Sequence, residues 1–238
     1  MVSWKAGVSA TGAPFTEGGR VQEAMMIADT LNPSRIPKAA TPMTFEEFLF
    51  MSPDNLKVEL HNGEMYIMSP ASYEHEELQA FLTKILHEFV GARGLGTVLG
   101  SRYTTRLSPA RGYEPDVMFI GTASLNRVTR NYLDGPPDVA IEIISPNMRA
   151  YDLEEKLHAY DEGGVREYWV LDPIERRAHF FRRGGQSLEP VAIGDEFVSD
   201  AMGGFRLKLE WLWPGEAQFP LARDVMAYIE SAEKAGSR

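Results

Sequence analysis

The sequence predicts an α/β protein with a mixed β-sheet, and three observations carry that expectation. Residues 57–68 (KVELHNGEMYIM) place two β-capable runs around Asn62-Gly63, a pair that accepts the positive φ of a type I′ hairpin turn. Leu78, Phe81, Leu82, Ile85, Leu86 and Phe89 fall at i, i+3, i+4, i+7, i+8 and i+11, the stripe of one helix face. The runs PPDVAIEIISP and EYWVLDP read as buried strands, and the helical pattern YDLEEKLHAYDE lies between them. A crossover helix joining two strands is the connection that parallel strands require.

Taken in order, residues 1–20 and the proline-rich 32–42 read as tail or loop, with a short helix over 21–31 between them. The expected organisation is an N-terminal extension over 1–43, one α/β domain over 44–210 and a C-terminal helical segment over 211–238. Thr44 and Glu47 have capping-box spacing, so a helix is expected over 45–51. The long helix is expected at 73–92, with Gly91 or Gly94 to end it. Strands follow at 96–100, 103–107, 115–120 and 138–145, where Pro146 stops the run. A helix at 151–162 leads to strands at 167–172, 178–183, 188–192 and 205–209, and a last helix covers 221–234.

Composition narrows the chemistry. The chain has 238 residues, 24 Lys+Arg against 34 Asp+Glu, a formal charge of −10 and no cysteine. Disulfides, thiolate metal sites and cysteine nucleophiles are thereby excluded, and any metal must be held by oxygen or histidine nitrogen. No run is long enough for a membrane span, and no secretory leader opens the sequence, so a cytoplasmic protein is expected. An acidic chain does not coat nucleic acid by overall charge, although a local basic groove beside an acidic metal site remains compatible with it.

Asp116 and Glu142 each interrupt an otherwise apolar strand. A carboxylate there is costly unless it is paired, hydrogen-bonded or bound to metal. On neighbouring strands the two would offer oxygen ligands for Mg²⁺; otherwise Asp116 opens its strand and Glu142 pairs with a basic residue. Lys156 flanks the sheet-facing stripe Leu153, Leu157, Tyr160, from which it reaches the Glu142 strand or pairs at i, i+4 with Asp152 on a solvated face. His75 opens the long helix and is suited to proton transfer, phosphate contact, capping or packing. Tyr168, Trp169 and Val170 read as core. The arginines over 102–130, Arg102 and Arg106 first among them, and those over 176–183 are the candidate phosphate contacts, and a solvated face explains each group equally well.

These pieces, in order, resemble the Uma-two family. The resemblance rests on E-L-x-x-G-E from Glu59 to Glu64, His75, P-D-V at Pro115 to Val117 and E-I-I-S-P at Glu142 to Pro146. It continues with D-x-x-x-K-x-x-x-Y from Asp152 to Tyr160 and G-V-R-E-Y-W-V-L-D-P from Gly164 to Pro173, and covers about residues 44–185. It implies a restriction-endonuclease-like core of the PD-(D/E)XK superfamily and Mg²⁺- or Mn²⁺-dependent hydrolysis of phosphodiesters. Carried over, Asp116 is the motif's Asp and Glu142 its second acid. Ile144 stands where the superfamily lysine would be, and Lys156 supplies the ammonium from the helix. Glu59 matches an upstream acid that completes the metal shell or, from spacing alone, an exposed hairpin carboxylate, and Asp152 orients Lys156. The implied partner is nucleic acid, DNA foremost, with a homodimer as a way to pool arginines. Two other functions fit the same residues: a non-catalytic binding module on this fold, and a metal-free glycosidase using Asp116 and Glu142 as acid and base.

Overall fold

Two main β-sheets, a two-stranded one and a long helix organise the molecule. The computed structural model describes residues 42–53, 56–146, 148–215 and 218–236. The expected helix over 21–31 and most of the expected N-terminal extension lie outside the described residues. Helix α1 (Phe45–Met51) starts from a complete capping box, in which the Glu47 N–H donates to Thr44 Oγ1 at 3.3 Å and the Thr44 N–H donates to Glu47 Oε2 at 2.8 Å. Strands β1 (Val58–His61) and β2 (Glu64–Ile67) follow as the expected hairpin, with Asn62 at φ 51° and Gly63 at φ 79°. Both values are those a type I′ turn demands.

Helix α2 (Tyr73–Arg93) is capped by the Ser72 side chain and ended by Gly94 in the left-handed region. Its expected apolar stripe is buried, from Leu78 to Phe89. Strands β3 (Gly96–Gly100), β4 (Thr104–Ser108), β5 (Arg111–Tyr113), β6 (Val117–Gly121), β7 (Tyr132–Asp134) and β8 (Val139–Ile143) precede the crossover helix α3. The first part of α3, Tyr151–Lys156, is wound as a π-helix, and Leu157–Gly163 continues it as an α-helix. Strands β9 (Glu167–Asp172), β10 (Arg177–Gly184), β11 (Ser187–Pro190), β12 (Glu196–Ser199) and β13 (Phe205–Lys208) lead to helix α4 (Ala222–Gly236). No helix among the described residues is long and apolar enough to cross a membrane.

The larger sheet has the order β11-β10-β9-β8-β6-β3, and the smaller one β2-β1-β5-β4-β7. The expected crossover joins β8 to β9 as parallel neighbours, with Glu142 beside Val170, and the other pairs in this sheet are antiparallel. Alternation sorts the β8 side chains. Val139, Ile141 and Ile143 join the core beneath α2 and α4, whereas Ala140 and Ile144 join a second core with Tyr160 and Tyr168 from the crossover side. Glu142 shares the parity of this second face. Trp169 packs in the first core and Tyr168 and Val170 in the second, as expected of core residues. Three strands lie outside the expected set: β5, β7 and β12, each three or four residues long.

Candidate active site

Four acids and two lysines converge where β1 of the smaller sheet meets β6, β8 and α3. β6 and β8 are antiparallel neighbours with Val117 opposite Ile141. One further step in that register sets Asp116 across from Glu142. Asp116 is tied on both oxygens: Oδ1 accepts from Lys57 Nζ at 2.7 Å, and Oδ2 accepts from the Ile143 N–H at 2.8 Å and lies 3.1 Å from His75 Nε2. Burial favours the neutral carboxyl, yet Lys57 and His75 outweigh it and hold Asp116 far below the usual carboxylate range.

Lys156 is 2% exposed and sits among three carboxylates. Its Nζ lies 2.9 Å from Glu59 Oε1, 3.1 Å from Glu142 Oε1 and 3.4 Å from Asp152 Oδ1. Asp152 and Lys156 are one helical step apart on α3, and Tyr160, four residues on, donates to Glu142 Oε1 at 2.9 Å. Burial disfavours the ammonium, but Glu142, Glu59 and Asp152 more than offset it and raise the Lys156 pKa well above the ordinary value. The acids are less well served. Burial, reinforced by Asp116 and Glu59 and opposed by Lys156, pushes Glu142 up to about 8. Burial with Glu59 and Asp116, against Lys156, lifts Asp152 to about 6.

A pocket of about 340 Å³ opens over this cluster, lined by Lys57, His75, Asp116, Glu142, Asp152 and Lys156, with Arg102 and Ser145 among its other residues. Both sheets thus contribute to one concave site, the usual setting for chemistry. The Uma2 family model, described as "Putative restriction endonuclease", matches residues 45–210. The chain belongs to the Uma2 family. A crystal structure from Anabaena variabilis ATCC 29413, described as "a putative nuclease belonging to DUF820", is 17% identical to this Uma2 chain, with a TM-score of 0.62. The alignment covers 73% of this chain and 98% of that one, and at this identity the likeness is one of fold. No curated protein matches.

Most of the residues singled out from sequence meet in this Uma2 pocket or directly behind it. Glu59 is fully buried rather than an exposed hairpin carboxylate, because β1 is covered on both faces; Tyr151 donates to its Oε2 at 3.2 Å. Lys156 is buried and not on a solvated face. His75 does not cap α2, a task taken by Ser72, but turns inward onto Asp116. Arg102 reaches the pocket lining at a left-handed φ of 81°. Arg106 does not: it pairs with Glu46 at 3.1 Å and Asp134 at 3.8 Å, since its strand runs along the smaller sheet away from β8. The basic run after β9 is likewise engaged, Arg182 with Glu167 and Asp200, Arg183 with Asp161.

Sequence reasoning missed Lys57 and Glu114. The signal for Lys57 was the alternation Lys57-Glu59-His61, which marks one polar face of an otherwise apolar strand. Glu114 is buried beside Glu59, and burial together with that charge pushes it up to about 7.

These shifts set the sign of a pH dependence. Glu142 and Glu114 rise from an ordinary 4.5 to about 8 and about 7. The folded chain then binds protons that the unfolded chain has released, so stability falls as pH rises through that interval. Asp116 acts oppositely below its ordinary 3.8, where its contribution is lost on acidification. With EDTA present, the thermal midpoint is expected to be higher near pH 5.5 than near pH 8; a midpoint that climbs over that interval would contradict the assignment.

Proposed function

We propose that this Uma2 chain is a metal-dependent nuclease that hydrolyses phosphodiester bonds, with DNA as the first substrate to test. The observation that carries the reading is the meeting of Asp116 and Glu142, on neighbouring strands, with the helix-borne ammonium of Lys156.

The donor set suits a hard divalent cation. Glu59, Asp116, Glu142 and Asp152 outnumber Lys57 and Lys156 inside the buried cluster, so its carboxylates exceed the ammonium groups that face them. Among the described residues no three His, Asp or Glu side chains form a closed metal cage. Two carboxylates are what Mg²⁺ takes when waters and substrate phosphate complete its shell. Asp116 and Glu142 are the proposed ligands. When bound, Mg²⁺ or Mn²⁺ would supply Lewis-acid charge to the phosphate and lower the pKa of a water.

The remaining roles belong to the protein's own groups. His75 and the Ile143 N–H fix the Asp116 carboxylate so that it need not reorganise as substrate arrives. Lys156 orients the attacking water and stabilises charge that develops on the phosphate oxygens. Both Glu59 oxygens are engaged by Lys156 and Tyr151, so Glu59 contributes negative charge from behind the ligands and holds Lys156 in place. Arg102 contacts phosphate at the pocket mouth. Arg106 has no part in this arrangement.

Purified chain incubated with plasmid and with single-stranded DNA in Mg²⁺, Mn²⁺ or EDTA tests the reading. Cutting is expected with either metal and not in EDTA. Cutting that ignores EDTA overturns the metal dependence, and absence of both cutting and Mn²⁺ binding favours a non-catalytic module.

A further inference from the structure

A second lysine in the pocket differs from Lys156 in both burial and partners. Lys57 directly precedes β1, on the strand face that also carries Glu59. Its Nζ lies 2.7 Å from Asp116 Oδ1, and its side chain keeps 24% of its exposure. The Lys156 side chain, by contrast, is almost fully buried and faces three carboxylates. Among the described residues, Lys57 forms an ion pair with one carboxylate, and that carboxylate is a proposed metal ligand.

An ammonium and a hard divalent cation seek the same carboxylate oxygen. Only one can hold Oδ1 at bonding distance. Oδ2 would not move in the exchange, because the Ile143 N–H and His75 anchor it. The lysine, with four rotatable carbons and a path to solvent, is the partner able to leave.

Resting on the metal-dependent reading above, we propose that Lys57 is an exchangeable counter-ion. Its ammonium neutralises Asp116 in the metal-free site, yields Oδ1 to the incoming Mg²⁺ or Mn²⁺, and turns into the pocket to hold a non-bridging oxygen of the phosphate. Lys57 is then a second substrate-facing cation, and the two positive charges that the metal adds are met by the acids of the cluster and by the substrate phosphate.

The test titrates the full chain with Mn²⁺ alone, following free Mn²⁺ by electron paramagnetic resonance, and then titrates the Mn²⁺-loaded protein with inorganic phosphate. Lys57→Met is expected to bind Mn²⁺ about tenfold more tightly than wild type, since no ammonium has to be displaced. The loaded variant is expected to bind phosphate about tenfold more weakly. Lys57→Arg keeps the cation and should stay close to wild type in both, and Lys57→Gln repeats the measurement should the Met variant fold poorly. Mn²⁺ affinity that is unchanged or reduced in Lys57→Met and Lys57→Gln overturns the exchange, as does unchanged phosphate affinity. Mn²⁺ binding by wild type that vanishes in Asp116→Asn upholds the metal site even where the Lys57 result goes against the exchange. Absence of Mn²⁺ binding in wild type and in both Lys57 variants overturns the metal site and the exchange together.

Discussion

In Asp116→Asn, DNA cleavage is expected to fall by about a hundred- to a thousand-fold, the scale of removing one group that stabilises developing charge. Mn²⁺ affinity should fall with it. The substitution keeps the side chain's shape and one oxygen able to accept from the Ile143 N–H, but it removes the negative charge that Lys57 and His75 now balance. A neutral amide there no longer attracts a metal as a carboxylate does, and it leaves the neighbouring Lys57 ammonium uncompensated. Circular dichroism serves as the control for folding. Retained cutting in a folded Asp116→Asn protein would remove Asp116 from the metal site and leave Glu142 without its partner.

Lys156→Met is expected to cost about 3–5 kcal/mol of stability at neutral pH, as when one member of a buried ion pair is deleted. The methionine fills the same volume, so the loss is electrostatic rather than steric. Glu59, Glu142 and Asp152 all face the missing ammonium and have almost no contact with water. Protonation is their remaining route to neutrality. The deficit should therefore shrink as pH falls, because carboxyls already lifted by burial take up protons first. Denaturant midpoints of wild type and variant at pH 5 and pH 8 check both statements. A deficit that is equal at the two values would mean that Lys156 is not the counter-ion of these acids.

Much of the fold was legible because local and global preferences agree. The Thr44 capping box, the Asn62-Gly63 turn and the α2 stripe each encode their element in a few residues, and the structure places them as read. Strands β5 and β7 were not legible: Arg111–Tyr113 and Tyr132–Asp134 are too short for a period-2 pattern and exist through pairing with β4. The π-helical winding of Tyr151–Lys156 has no sequence signature either. Within the site, Asp116 and Glu142 announced themselves as charges in apolar runs, whereas Lys57 at a strand end looked like any solvated lysine. Spacing could not settle whether Lys156 points inward, since Asp152 offers the same i, i+4 partner on either face. The Glu59–Lys156 contact decides it, and that contact depends on how two sheets pack.

That same contact has a bearing on biosynthesis. Glu59 and Lys156 are 97 positions apart, and Lys57 and Asp116 are 59 apart. While the ribosome is still short of the crossover helix, the emerging chain holds Glu59 and Glu142 without the ammonium that they share with Asp152. Closing so long a loop is entropically slow, and its return comes only when the lysine arrives. Assembly of the buried charge cluster is thus postponed until the crossover helix has been made, and a chain that stops short of it leaves Glu59 and Glu142 without their shared counter-ion.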